Sequence, residues 1–301
     1  MTTRLDGVAA LPHLGVIRAA GEDARKFLHS QLTHDFLLLP PQRARLAAFL
    51  SAKGRMQASF VAVPLGPQDI ALVVSRDLLP ATLKRLSMFV LRAKARLTDA
   101  TAEFSLRGLA GAAAGATLAP WAVEARGEAQ VVGLYPADGQ PRALWLAPAG
   151  TPEPAGPALA HEAWLWGEVR SGVATLGQPL FEAFVPQMLN YESVDGVNFK
   201  KGCYPGQEVV ARSQFRGTLK RRATLAHADA PLQAGQEIFH SADPEQPCGL
   251  VAQAAPAPGG GWDAIVSLQL AAMEGGSLHA GAAGGPVLSL QPLPYELLAD
   301  I

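Results

Sequence analysis

The chain has 301 residues, 49% of them hydrophobic and 17% charged, with a net charge of −1 and two cysteines. That length supports a sizeable core and two or three domains, and the near-neutral balance excludes a global bias toward nucleic acid or membrane. Cys203 and Cys248 make neither a disulfide framework nor a CxxC metal pair, so the default compartment is the reducing cytoplasm.

The first residues, MTTRLDGVAALPHLGVIRAAGED, lack the basic and apolar regions of a secretory signal. No stretch approaches the roughly 20 apolar residues of a membrane span. Gly15-Val16-Ile17 predicts a short strand. Gly21-Glu22-Asp23 then opens a helix with two acids in its first turn, where the helix dipole favours them. Ala24, Phe27, Leu28, Gln31 and Leu32 follow at helical spacing. The runs RLAAFLS and QASFVAV, joined by Ala52-Lys53-Gly54-Arg55, predict a hairpin, and DIALVVS (69–75) another strand. Asp77 is placed to cap a helix with Pro80 in its first turn and Leu79, Leu83, Leu86 and Val90 along one face. In LRAKARL, Leu91, Ala93, Ala95 and Leu97 alternate with Arg92, Lys94 and Arg96, the pattern of a strand with one basic face. Strand, helix and strand so arranged point to an α+β layer.

From 110 to 157 the periodicity weakens; GLAGAAAGATLAP and APAGTPEPAGP read as loops, the second as a surface linker. Leu159, Ala163, Trp166 and Val169 restore helical spacing, and Gly172 is a fitting stop. After residue 220, RRATLAHA, EIFHS, CGLVAQAA, DAIVSLQL and GPVLSLQPL are short strand-like pieces split by Gly and Pro. They predict a small all-β C-terminal domain, a barrel or sandwich. The seven histidines are scattered without metal-ligand spacing, so no structural metal is expected.

Chemistry concentrates in residues 199–217, FKKGCYPGQEVVARSQFRG. Gly202 and Gly206 flank Cys203-Tyr204-Pro205, and Pro205-Gly206 signals a tight turn at a surface or cleft rim. Lys200 and Lys201 favour a thiolate at Cys203, although a free cysteine is also commonly an inert small hydrophobe. Gln207 and Glu208 can hold the donor and acceptor edges of a flat heterocycle, or Glu208 can simply pair with Lys200, Lys201 or Arg212. Seven basic residues stand from Lys200 to Arg222 with Glu208 as the only acid. Such a run is a solvated face or an anion site.

Lys201-Gly202-Cys203-Tyr204-Pro205-Gly206-Gln207-Glu208 resembles the K-G-C-Y-x-G-Q-E signature of the YgfZ family, folate-binding proteins related to the glycine-cleavage T-protein, an aminomethyltransferase. Phe184–Asn190 resembles the family's F-[IV]-P-Q-x-x-N, and Val210–Gly217 its V-A-R-x-x-[FY]-R-G. Phe27–Asp35 is similar to its F-L-x-x-Q-[LV]-T-x-D, and Ser51–Met56 to its lysine-glycine hairpin. The likeness covers roughly residues 15–60 and 165–222; elsewhere it rests on order and length.

The resemblance implies an α+β fold of three domains in a ring, with a central cavity for tetrahydrofolate. Residues 1–220 would form two interleaved α+β domains, and 221–301 a small β-barrel. It places Gln187, Asn190 and Glu208 near the cavity wall, with Tyr204 and Gln207 beside them, and Lys201 and Arg212 against the glutamate carboxylates of a folate. The related transferase carries an acidic residue in its hairpin; Gln57 and Ala58 stand there in this chain, and neither titrates. The family is associated with assembly or repair of iron–sulfur clusters in other proteins, with effects on tRNA modification through enzymes such as the tRNA methylthiotransferase.

Three functions follow as expectations. The first is a tetrahydrofolate-binding accessory protein for iron–sulfur enzymes or cluster carriers, with Cys203 as a redox or exchange thiol; one thiol cannot hold a cluster alone. The second is a folate-dependent aminomethyl transferase or demethylase. The third, direct RNA binding by the basic run, is disfavoured by the near-zero net charge.

Overall fold

The computed structural model describes residues 5–116, 118–215 and 219–298; Arg216 and Gly217, which end the basic motif, lie outside them. The chain starts with strands β1 (Gly7–Ala10) and β2 (Leu14–Ala20), which enter different sheets. Helix α1 (Ala24–Gln31), strands β3 (Arg45–Leu50), β4 (Met56–Gly66) and β5 (Asp69–Ser75), helix α2 (Leu79–Ser87) and strand β6 (Arg96–Asp99) follow. One antiparallel sheet runs β3-β4-β5-β2-β6. Its middle strands are apolar on both faces, because α1 covers one side with Ala24, Phe27 and Leu28 and the rest of the chain covers the other.

Strands β7 (Phe104–Ala110), β8 (Val123–Arg126), β9 (Ala129–Ala137) and β10 (Gln140–Pro148) join β1 in a second sheet, ordered β1-β7-β10-β9-β8. Helix α3 (His161–Arg170) packs on it, and Gly172 (φ +69°) ends the turn that follows. Helix α4 (Gln207–Phe215) precedes a closed barrel of β11 (Arg221–Ala228), β12 (Glu237–His240), β13 (Asp243–Pro256), β14 (Trp262–Gln269), β15 (Leu278–Ala280) and β16 (Val287–Gln291). Closure leaves the barrel no free sheet edge. Buried polar contacts tie these bodies together. Trp166 Nε1 donates to Asp263 in the barrel at 2.8 Å, Trp121 Nε1 donates to the Val194 carbonyl at 2.9 Å, and Arg222 pairs with Glu192 in the interior.

Four local expectations are corrected. Glu22 and Asp23 lie ahead of α1 rather than in its first turn, held by Lys94: its Nζ reaches Glu22, and its backbone N–H donates to Asp23. Asp77 does not cap α2; it accepts from Ser75 Oγ and from the backbone of Gln178, bracing a distant loop. Residues 91–95 are not strand, and pairing with β2 begins only at Arg96. The weak region after 110 holds three strands. Gly133, in β9, is there for close packing: a Cβ on it would lie 2.4 Å from the Ala119 carbonyl, as one on Gly108, in the preceding β7, would lie 2.5 Å from the Trp164 ring.

Candidate functional site

The motif segments, far apart in sequence, meet around the turn that carries Cys203. Gly206 has φ +79°, and a Cβ there would fall 2.5 Å from the Ser51 carbonyl oxygen and 2.8 Å from Gly54 Cα. Gly54, at φ +71°, is the reciprocal case, 2.7 Å from Val209 Cβ. The tip of the β3–β4 hairpin and the start of α4 therefore touch backbone to backbone, which only glycine allows on either side. On the hairpin's other flank, Met56 N–H donates to the Phe184 carbonyl at 2.8 Å and Arg55 Nη1 to the Ala183 carbonyl at 2.7 Å.

Cys203 is exposed. Its neighbour Lys201 turns inward, where Nζ donates to the carbonyls of His29 and Leu32 at the end of α1 and lies 4.4 Å over the Tyr204 ring. Burial pushes the Lys201 ammonium down to about 8, against the charges of Asp35 and Cys203, which favour protonation. Burial likewise pushes the Tyr204 phenol up to about 12. Gln207 Oε1 accepts the Tyr204 backbone N–H at 3.1 Å and its Nε2 lies 3.6 Å from Cys203 Sγ, so the amide braces the turn. Glu208 and Arg212 project from the exposed face of α4, with no ion pair among the described residues.

Gln187 and Asn190 lie deeper, both fully buried. Gln187 Nε2 donates to the Val210 carbonyl at 2.7 Å, pinning α4, while its Oε1 has no partner among the described residues. Asn190 is left-handed (φ +56°) and clamps β11: Nδ2 donates to the Ala223 carbonyl at 2.9 Å and Oδ1 accepts the Ala223 N–H at 3.2 Å. The structure thus gathers Lys201, Cys203, Tyr204 and Gln207 at one rim, sets Glu208 and Arg212 beside it, and uses the Gln187 and Asn190 amides to hold backbone.

A separate cavity lies between the two sheets. Its interior volume is about 70 Å³, and it is walled by Leu46, Phe60, Val61, Trp121, Tyr135 and Trp164 among others. Of the expected binding residues none lines it; the nearest along the chain is Asn190, whose neighbour Tyr191 does. Two charged side chains reach its wall, Arg142 from β10 and Glu168 from α3. Arg142 is 4% exposed, stacks 4.4 Å over the Trp164 ring, and has no partner for its Nε among the described residues. Burial pushes its guanidinium down to about 10, partly offset by Glu168. At Glu168 burial favours the neutral acid, but hydrogen bonding and charge from His13, the charge of Arg142 and a bond from Trp164 together outweigh it and hold the carboxyl below its ordinary value. A buried carboxylate and an under-bonded guanidinium between aromatic walls can hold a flat heterocycle with donor and acceptor edges.

These cavity residues were not singled out from sequence. Arg142 sits in a stretch without visible periodicity, and Glu168 reads as one acid on a helix. A usable signal was Asp138-Gly139, whose paired positive φ values (47° and 72°) make a tight hairpin between β9 and β10. Gln57, at the hairpin position where a transferase acid was expected, is buried and donates to Glu182 Oε1 at 2.6 Å.

No family model matches the chain. It is 29% identical to the tRNA-modifying protein YgfZ of Sodalis glossinidius (strain morsitans), over 96% of this chain and 92% of that protein. The protein of the same name from Edwardsiella ictaluri (strain 93-146) is 30% identical over 68% of this chain and 66% of its own length. Among solved structures, the glycine cleavage system aminomethyltransferase T from Bartonella henselae superposes with a TM-score of 0.70, covering 98% of this chain and 87% of that one at 17% identity. At that identity the likeness establishes the fold. Among the described residues no helix is long and apolar enough to cross a membrane.

Proposed function

This chain belongs to the YgfZ family, and from that premise we propose that it binds tetrahydrofolate in the cavity and serves as an accessory protein for assembly or repair of iron–sulfur enzymes, supporting tRNA modification. The observation that carries the folate reading is the wall chemistry: ionised Glu168 and the orphaned Arg142 Nε between aromatic side chains. The donor set fits a pterin. Glu168 would accept its N–H edge, Arg142 Nε would donate to a ring or carbonyl acceptor, and Trp121 and Tyr135 would cover its faces. Bound tetrahydrofolate supplies a carrier for one-carbon groups.

Cys203 belongs to the second half of the proposal. It is exposed, it stands on a turn locked by Gly54 and Gly206, and Lys201 lies within reach of its charge. We assign it thiol exchange or transient cluster contact with a partner, such as a cluster carrier or a tRNA methylthiotransferase. Lys201 and Arg212 are proposed to meet carboxylates arriving at the rim, with Tyr204, Gln207 and Glu208 shaping it. Gln187 supports the same rim from below by holding α4, and Asn190 holds β11 beside it. Aminomethyl transfer is the lesser reading, because Gln57 supplies no titrating group at the hairpin.

Calorimetric titration with tetrahydrofolate tests the first half, using wild type, Glu168→Gln and Cys203→Ala. Wild type and Cys203→Ala should bind alike, and Glu168→Gln at least about tenfold more weakly, the loss of a charge-assisted hydrogen bond. Absence of binding by wild type removes the folate reading. Wild-type activity of cluster-dependent tRNA-modifying enzymes in a Cys203→Ser strain removes the role of the thiol.

A further inference from the structure

Glu168 is not isolated in the cavity wall. His13, in the turn between β1 and β2, places Nε2 at 3.1 Å from Glu168 Oε1. His161, at the first position of α3, places Nε2 at 2.8 Å from His13 Nδ1, with the two rings 4.8 Å apart. His161 and Glu168 share one face of α3 with Trp164, whose Nε1 donates to Glu168 Oε1 at 2.8 Å. On its other oxygen Glu168 accepts from Gln253 of β13 at 2.8 Å. The carboxylate is buried, His13 is about a quarter exposed and His161 is partly exposed, so the three groups run from the cavity to solvent.

The hydrogen-bonding chemistry assigns the protons. An ionised carboxylate only accepts, so His13 Nε2 carries hydrogen and donates to Glu168. With His13 neutral, its Nδ1 is an acceptor, and His161 Nε2–H must donate to it. The remaining His161 Nδ1 is then the entry point for a proton. When one enters there, the Nε2 proton of His161 can cross the 2.8 Å bond to His13 Nδ1, leaving the positive charge on His13, next to the carboxylate. A second proton would set N–H against N–H across that bond, so the pair holds one. The charged groups acting on the pair are Glu168 and Glu162 on α3, and Arg142 on β10 acts on Glu168. Burial and the neighbouring His13 both press His161 toward its neutral form, in keeping with a single shared charge.

We propose that His161 and His13 form a two-ring proton relay between solvent and the cavity carboxylate Glu168, and that a ligand donating N–H groups to Glu168 drives the proton the pair holds out to solvent. Its ligand clause rests on the cavity reading above. Such a ligand competes with His13 for the carboxylate lone pairs and weakens what stabilises the imidazolium, so the shared proton leaves along His13 and His161. His13 and His161 are positioning residues: they act on the ligand through Glu168.

The relay is tested without ligand by following the histidine ring resonances with pH by NMR. Wild type should show His13 and His161 moving together in one step, with any second protonation displaced to lower pH. Replacing Glu168 by Gln should move that step to lower pH, since the opposite charge is lost. In His13→Gln, whose amide can still donate to Glu168, His161 should titrate alone. Independent titration of both rings to a full proton each, or a step that ignores Glu168→Gln, overturns the relay. The ligand clause is tested by tetrahydrofolate calorimetry in phosphate and in Tris, whose ionisation heats differ. Proton release of up to about one equivalent in the histidine range, lost in His13→Gln, is expected; wild-type binding with no proton exchange at any pH overturns the clause. A wild type that binds no tetrahydrofolate instead rejects the folate reading, and the ring titrations still decide the relay.

Discussion

Replacing Gly206 by Ala tests the geometry that holds the Cys203 turn. At φ +79° an L-residue costs about 1–2 kcal/mol for the left-handed backbone. The added methyl would lie 2.5 Å from the Ser51 carbonyl oxygen and 2.8 Å from Gly54 Cα. Both are backbone atoms, which cannot rotate aside, and the forced shift adds about 1–3 kcal/mol, as overpacking does. The expected loss is thus about 2–5 kcal/mol. Gly139→Ala is the control, because φ is +72° there and nothing lies within 4 Å of the new methyl. It should lose only the backbone cost, about 1–2 kcal/mol. Urea denaturation of both variants reads the difference, and the rate of Cys203 alkylation in the native state reports on the turn itself. Equal losses for the two would refute the docking of hairpin on helix as the reason for Gly206, and an unchanged alkylation rate would show that the contact does not position the thiol.

Three further outcomes are expected. Arg222→Met leaves the Glu192 carboxyl buried in the interior with its ion-pair partner gone and should cost about 3–5 kcal/mol, most of it recovered in Arg222→Met with Glu192→Leu; no recovery would mean that Arg222 acts through packing alone. Iodoacetamide should label Cys203 in the native protein and leave Cys248 untouched until denaturant is added, since Cys248 is 7% exposed and burial pushes its thiol up; mass spectrometry showing equal labelling would contradict this. For Lys201, below about 8 both folded and unfolded chains hold the proton, and burial of the charge costs stability. Between there and the ordinary lysine value the unfolded chain binds more protons, so stability should rise with pH relative to Lys201→Met. A flat difference between the two proteins over that window would show that Lys201 is not held as described.

How much was legible depended on where the physics was local. Strands 69–75 and 221–228 and the 44–63 hairpin announced themselves because each is a run of apolar or β-branched residues bounded by turn formers. The Cys203 turn was equally visible, since Gly, Pro and Gln there act over four or five residues. Asp77 misled because a carboxylate two residues before a helix looks like a cap, yet the backbone N–H it accepts is that of Gln178, 101 residues away. The strands after 110 are hard to read because a small residue in them serves a neighbour: Gly133 in β9 makes room for the Ala119 carbonyl, as Gly108 in β7 does for Trp164. Propensity counts such residues as loop formers and cannot register what presses against them.

By itself, the sequence determined the hairpin, the C-terminal β character and the exposed turn that carries Cys203, since each rests on contacts between near neighbours. The meeting of that turn with the hairpin, and the cavity wall of Arg142 and Glu168, were decided only by the tertiary structure. His13 and His161 are 148 residues apart and neither belongs to a motif. Burial, which gives Glu168 and its histidines their chemistry, is a property of the folded chain, set by which distant segments exclude water from the same space.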